Sequence, residues 1–447
     1  LPGARAAYGR AAEEGGFAAE AYHRLGLLEL DAGRRAPALA ALARAAAAAP
    51  GESRYAVDLA RARATSGRPE DRQSALKILE RVVATRPYAP AFLEAGQLLA
   101  ADGRLRPAAG ALGRATAADR NLWRAYWELA RVLDRMGRRA EAHYQRGLAF
   151  SVRDLRVRAL EEYRAMAAVE PSRPDGLLLA SQSHFKMQQN ARGAALARRA
   201  YQRFPRSPEA REQLAALLIV TNDRKEAAAI CRAWLQAEPG AAVPLRMLGR
   251  LAANDLRFEE AIRDYEQAIA REPKNADFRL ALGEALLDAP GAHRLAQAVT
   301  TLAAAASLAP EDSPARHHLG LALMRAGRLE ESRRQLLRAL DLDPHHGPTY
   351  SALVQAARRL REPGPVSLFA PIARAVEDRL RQELSLWRRT WDHPEDANAY
   401  LSLARFLIRI GQVEKAEAQL EEALRRRPAG SGAQAELARV RRLVAVR

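Results

Sequence analysis

A single cysteine, Cys231, occurs in the 447 residues. That excludes an internal disulfide, a zinc cluster built from cysteines and a Cys-x-x-Cys-His haem attachment. Long apolar runs are missing too. The longest, residues 214–220, falls far short of the roughly 18 residues that cross a bilayer. No Gly-Lys-Ser/Thr occurs, so no loop of the Walker type cradles a phosphate. Neither His-Glu-x-x-His nor a nucleophile elbow is present, and no motif asks for a cofactor or metal, which leaves no catalytic residue to name. The Gly-x-Gly at Gly430 and Gly432 follows Pro428 and no strand, so it reads as a turn. Alternation with β-branched residues is absent, which excludes strands. A charged-then-apolar leader is also absent, and the chain opens on Leu1-Pro2-Gly3, so a longer protein is expected to precede Leu1.

What is abundant is arginine and alanine. The formal net charge is +18, yet only Lys77, Lys186, Lys225, Lys274 and Lys415 of the 71 basic residues are lysine. Such a balance is what GC-rich bacterial coding puts on any solvated helix face. It also suits an acidic partner, and the two origins stay open side by side.

An internal period organises the rest, and it replaces the several domains that length alone suggests with one stacked array. Residues 313–346 supply Leu319-Gly320, Leu323, Gly327, Ser332, Leu336, Ala339 and Pro344. The same spacing recurs from Ala19 (Tyr22, Leu25-Gly26, Gly33, Ala38, Leu42, Ala45, Pro50), from Phe92 (Ala95-Gly96, Gly103, Ala108, Leu112, Ala115), from Trp123 (Tyr126, Leu129-Ala130, Leu133, Gly137) and from Ala397 (Tyr400, Leu403-Ala404, Leu407, Gly411, Ala416, Leu420, Ala423, Pro428). Ala4, Tyr8 and Ala11, with Gly16 at the closing turn, fit the second half of such a unit. Pro171, Pro205, Pro239 and Pro273 stand one period apart. Pro87 comes three residues late, which predicts a turn insertion at 66–70, and Pro310 comes late because 288–294 lengthens a helical turn.

This pattern resembles the tetratricopeptide repeat, a helix-turn-helix unit of about 34 residues. The resemblance implies an all-α, right-handed solenoid of about 12 units with a C-terminal capping helix over 432–446, whose Leu437-Ala438 and Leu443 would face inward. Two departures divide it. Residues 138–171 hold one helix too many, predicting a kink or change of superhelix. At 361–365 an Arg-Glu-Pro-Gly-Pro run ends one helix, and 368–391 reads as a single long one. The expected organisation is therefore a repeat run over 1–137, an extra-helix junction over 138–173, a regular run over 174–346, an irregular unit over 347–396, and a last repeat with its cap over 397–447.

Solenoids of this family bind protein partners on the concave face of the first helix of each unit. The resemblance places there Arg124, Trp127, Arg131 and Arg135; Gln182, Phe185 and Lys186; Arg246, Arg250 and Asn254; His317, Met324 and Arg325; Gln355, Arg358 and Arg359; Arg405 and Arg409. Arginine dominates, interrupted by Glu209, Glu212, Glu284 and Asp288, so a protein or peptide partner with acidic groups is expected in preference to nucleic acid. The family's Lys/Asn clamp for a terminal carboxylate is not matched, since its positions carry His23 and Leu27, or Arg246 and Arg250. Trp387 and Trp391 share one helical face, either as packing or as an exposed docking anchor.

The remaining chemistry-bearing residues have plainer readings. His317-His318 and His345-His346 read as surface or groove residues, and Cys231 as a buried helix residue. The pairs Glu259-Glu260, Glu330-Glu331 and Glu421-Glu422 read as acids at the start of second helices, complementing the helix dipole. The expected role is a non-catalytic interaction scaffold within a larger bacterial protein or assembly, in the cytoplasm or the envelope. Alternatives are a substrate-recruiting region beside a glycosyl- or sulfotransferase domain outside this chain, or an envelope component of polysaccharide secretion or pilus assembly.

Overall fold

The computed structural model describes residues 2–13, 17–427 and 431–446, and among these every regular element is a helix. Gly16, Pro428 and Gly430 lie outside the described residues. The chain forms two compact units, residues 1–176 and 177–447. The first holds α1 (Pro2–Glu13), α2 (Ala18–Asp31), α3 (Arg35–Ala48), α4 (Ser53–Ala64), α5 (Pro69–Thr85), α6 (Ala89–Ala101), α7 (Leu105–Ala118), α8 (Trp123–Arg135), α9 (Arg139–Val152) and α10 (Arg156–Val169). In the second stand α11 (Asp175–Lys186), α12 (Asn190–Arg203), α13 (Pro208–Val220), α14 (Arg224–Ala237), α15 (Val243–Asn254), α16 (Phe258–Arg271), α17 (Ala276–Asp288), α18 (Ala292–Leu308), α19 (Ser313–Arg325) and α20 (Leu329–Leu342). They continue with α21 (Gly347–Leu360), α22 (Pro363–Asp392), α23 (Ala397–Arg409), α24 (Val413–Arg426) and α25 (Ser431–Val446).

Each unit is a stack of antiparallel helix pairs, and two local devices recur in many of the pairs. At the turn between its helices one residue takes a left-handed conformation, as Gly33, Gly103, Gly137, Gly327 and Gly411 do at φ between 72° and 78°. The following amide then folds back onto the first helix, as Arg34 N–H does onto the Glu29 carbonyl at 2.8 Å, so that the carbonyls left open at the helix end are satisfied. Within the pair, a small residue on the first helix admits a large one from the second, sixteen positions on. A Cβ added to Gly26, Gly96 or Gly320 would come within 2.6, 2.5 or 2.6 Å of Leu42, Leu112 or Leu336, and all three leucines are fully buried.

These devices locate the extra helix. Asp154, between α9 and α10, has φ 55°, and a Cβ on Gly147 would meet Tyr163 at 2.2 Å. So α9 closes the α8 hairpin and also opens a second hairpin with α10. The sixteen-residue spacing from Gly147 to Tyr163 marks this second hairpin in the sequence as well.

Other expectations are corrected. The three extra residues before Pro87 do not sit in the turn; they extend the start of α5, which is 17 residues against 14 for α3. The Arg-Glu-Pro-Gly-Pro run ends α21 as expected, but the long helix after it starts at Pro363 rather than at residue 368: Pro363, Gly364 and Pro365 form the first turn of the 30-residue α22, where proline's missing N–H has no intrahelical acceptor to lose. In α25 the inward face is Ala433, Leu437 and Val440, all buried; Ala438 and Leu443 face solvent. Glu421 and Glu422 lie in the second half of α24, where Glu421 pairs with Arg441 at 2.8 Å and Glu422 with Arg425 at 2.8 Å.

Candidate partner-binding surface

Successive first helices run side by side, and their facing sides enclose clefts in both units. In the first unit a cleft of about 550 Å³ lies between α6 and α8, lined by Gln97, Glu128, Arg131, Asp134 and Arg135. In the second unit a cleft of about 650 Å³ lies between α15 and α17, lined by Arg246, Arg250, Asn254, Leu256, Glu284 and Asp288. Spacings of four along one helix put these side chains on one face. Five residues anticipated from sequence therefore line these two clefts, but each cleft carries acids as well as arginines.

Not every predicted arginine is available to a partner. Arg135 donates to the Ala100 carbonyl at 2.7 Å and Arg359 to that of Met324 at 2.8 Å, and Arg325 does the same to Leu287. Each acceptor is the penultimate residue of the preceding first helix, so these cations tie the negative end of one unit to the next. Arg405 pairs with Glu436 at 2.8 Å, Arg246 with Glu212 at 3.3 Å and Arg131 with Glu128 at 3.0 Å. Arg124 lies over the Trp123 ring and Arg409 over Phe406, each 5.6 Å from the centroid.

Other predicted positions present themselves differently. Gln182 meets Gln213 at 3.3 Å. Trp127 is half-buried, edge-on to Phe150 at 5.7 Å. Phe185 is 47% exposed, and Lys186, Arg250, Asn254, Gln355 and Arg358 are exposed as well. Arg250 and Arg358 make no hydrogen bond or ion pair among the described residues.

Four residues leave the surface. Met324 is buried, and so are Trp387 and Trp391 at 6% and 5% exposure, their rings stacked at 6.0 Å. Of the two readings of this pair, packing or exposed anchor, the burial fits packing. They are core of the α22 and α23 region, where Tyr400 OH donates to the Thr390 carbonyl at 3.3 Å.

His317 is also buried rather than lining the groove. Its Nδ1 lies 3.0 Å from Thr349 Oγ1, which His346 Nδ1 also engages at 2.6 Å. His318 stands edge-on to His317 at 5.2 Å and reaches Glu284 at 3.1 Å. Burial first, then the neighbouring His318 and His346, push the His317 pKa down to about 4. Burial likewise lowers that of His346. The unfolded chain takes up a proton near pH 6.5 and the folded chain only near pH 4, so the unfolded state binds more protons in between and stability falls as pH falls. Urea unfolding should therefore lose about 2 kcal/mol through this site between pH 7 and pH 4.5, a slope that His317→Gln removes. Cys231, beside Met247 at 4.0 Å, is inert by the same logic, burial pushing its thiol up to about 12.

Comparison with known proteins agrees with this architecture. A tetratricopeptide-repeat family profile matches residues 178–242, 246–293 and 374–440, and a second profile of that family matches 291–357. Among solved structures, yeast Tom70 is 14% identical, with a TM-score of 0.42 over 81% of this chain and 89% of that one. The Cut9 and Hcn1 hetero-tetramer of the APC/C is 16% identical, with a TM-score of 0.41 over 94% and 90%. YrrB, described as having an unusual peptide-binding site, is 19% identical, with a TM-score of 0.29 over 54% and 98%. No curated protein sequence matches the chain. With its matched spans covering more than half of its length and all described regular elements helical, the chain belongs to the tetratricopeptide-repeat family.

Proposed function

We propose that this protein is a non-catalytic interaction scaffold that seats an acidic polypeptide segment on the exposed faces of its first helices, within a larger assembly. The observation that carries this reading is the presence of exposed arginines not engaged by the fold, Arg250 and Arg358, on first helices, Arg250 at the cleft between α15 and α17. A planar guanidinium free of internal partners can take a carboxylate in two parallel hydrogen bonds. Rigid helices on either side hold it in place, which limits the ordering cost of binding.

The test is a crosslinking pull-down with Arg250→Glu and Arg358→Glu combined. Capture of an acidic partner should fall about tenfold or more, equivalent to at least 1.4 kcal/mol. Arg263→Glu, on the exposed side of the second helix α16, should leave capture unchanged. An unaltered set of partners in the double variant removes the arginine faces as the site. Steep salt-sensitive retention of RNA or DNA would point to nucleic acid instead.

A further inference from the structure

The cleft between α15 and α17 carries opposite charges on its two walls. Arg246 and Arg250 stand on α15, with Glu284 and Asp288 opposite on α17. Flexible side chains of opposite sign facing one another ordinarily close into pairs. Here they do not: Arg246 turns away to Glu212 at 3.3 Å, Glu284 turns away to His318 at 3.1 Å, and no ion pair joins the two walls among the described residues. About 650 Å³ remains between them.

A second, independent feature stands at the mouth of this cleft. Leu256 is 74% exposed and holds φ at +59°. Glycine fills the corresponding turn position at Gly33, Gly103, Gly137, Gly327 and Gly411, and polar residues fill it at Gln188, Asn222 and Arg361. A leucine there costs about 1 kcal/mol of backbone strain and leaves its apolar side chain in water. Backbone strain and exposed apolar surface coincide at one residue, on the rim of a cleft whose walls differ in sign.

We infer that this cleft takes a polypeptide segment of mixed charge: a carboxylate side chain against Arg246 and Arg250, a cationic side chain against Glu284 and Asp288, and an aliphatic side chain covering Leu256. The inference rests on the scaffold reading above and sharpens it at this site, where a purely acidic ligand is repelled by the α17 wall.

The test uses three fluorescein-labelled peptides on one Ala/Leu background, bearing glutamate and lysine together, glutamate alone or lysine alone, titrated against the full chain at low salt by anisotropy. The mixed peptide should bind about tenfold tighter than either single-sign peptide. Glu284→Lys with Asp288→Lys, and separately Arg246→Glu with Arg250→Glu, should each erase that advantage. The milder Arg250→Ala and Asp288→Asn should reduce it in the same direction, which keeps the test open if a reversal fails to fold. Leu256→Gly should weaken the mixed peptide several-fold while raising the melting temperature, a pairing that a merely structural leucine would not produce. If the glutamate peptide binds best and gains from reversal of the α17 wall, this inference fails and the basic-surface reading stands. If no peptide binds, both fail.

Discussion

Leu336→Ala should lower the unfolding free energy of the second unit by about 3–5 kcal/mol. Leu336 is fully buried and sits over Gly320, where a Cβ would stand 2.6 Å from its Cδ2. The hydroxyl of Ser332, in the turn of α20 preceding Leu336, donates to the Gly320 carbonyl at 2.7 Å, so the two backbones are held close and collapse poorly around a void. Gly320→Val overfills the same space and should cost about 2–3 kcal/mol. Because one substitution opens the volume that the other fills, the double variant should fall short of the sum by more than about 1 kcal/mol. Urea unfolding followed by circular dichroism reads this. Strict additivity would mean that the small-and-large pairing is not what joins the helices of a repeat.

Trp391→Ala should cost about 3–5 kcal/mol, the range for removing a buried indole, whereas Trp391→Phe should cost much less and leave partner capture unchanged. The stacked pair Trp387 and Trp391 closes the core between α22 and α23, and the Thr390 hydroxyl donates to the Trp387 carbonyl at 2.7 Å beside it. Their emission should be blue-shifted in the folded chain and move to the red on unfolding. A Trp391→Ala variant that keeps its stability yet loses a partner would restore the tryptophans as an exposed anchor.

Much of this fold could be read from the sequence because the repeat signals are local. Leu-Gly on the first helix, a turn glycine and a large residue on the second lie within one period, and their spacing suffices to place the helices. What escaped reading depends on partners a whole period away. That Arg135, Arg325 and Arg359 cap the preceding first helix follows only from the stacking of units, so a count of arginines at groove positions overstates the free cationic surface. Gln188, Asn222 and Leu256 at left-handed turn positions carry no glycine signal, although the returning backbone hydrogen bonds are the same. The Pro-Gly-Pro run marks the end of α21 correctly, but that the same residues open α22 was not legible, because proline is accommodated in a first turn and composition does not say where the next helix begins. At the surface, helical spacing named Arg246, Arg250 and Asn254 on α15 and Glu284 and Asp288 on α17. That the two sets face each other across one cleft follows only from the stacking of the helices.

The central claim is that partners bind on the first-helix faces. Site-specific photo-crosslinking tests it most directly, with benzoylphenylalanine placed at Asn254, beside the α15 and α17 cleft, or at Gln267, exposed on the second helix α16. Adducts to a partner polypeptide from position 254, with none from 267, are the predicted result. Adducts from 267 alone would contradict it and move the binding surface to the opposite side of the stack.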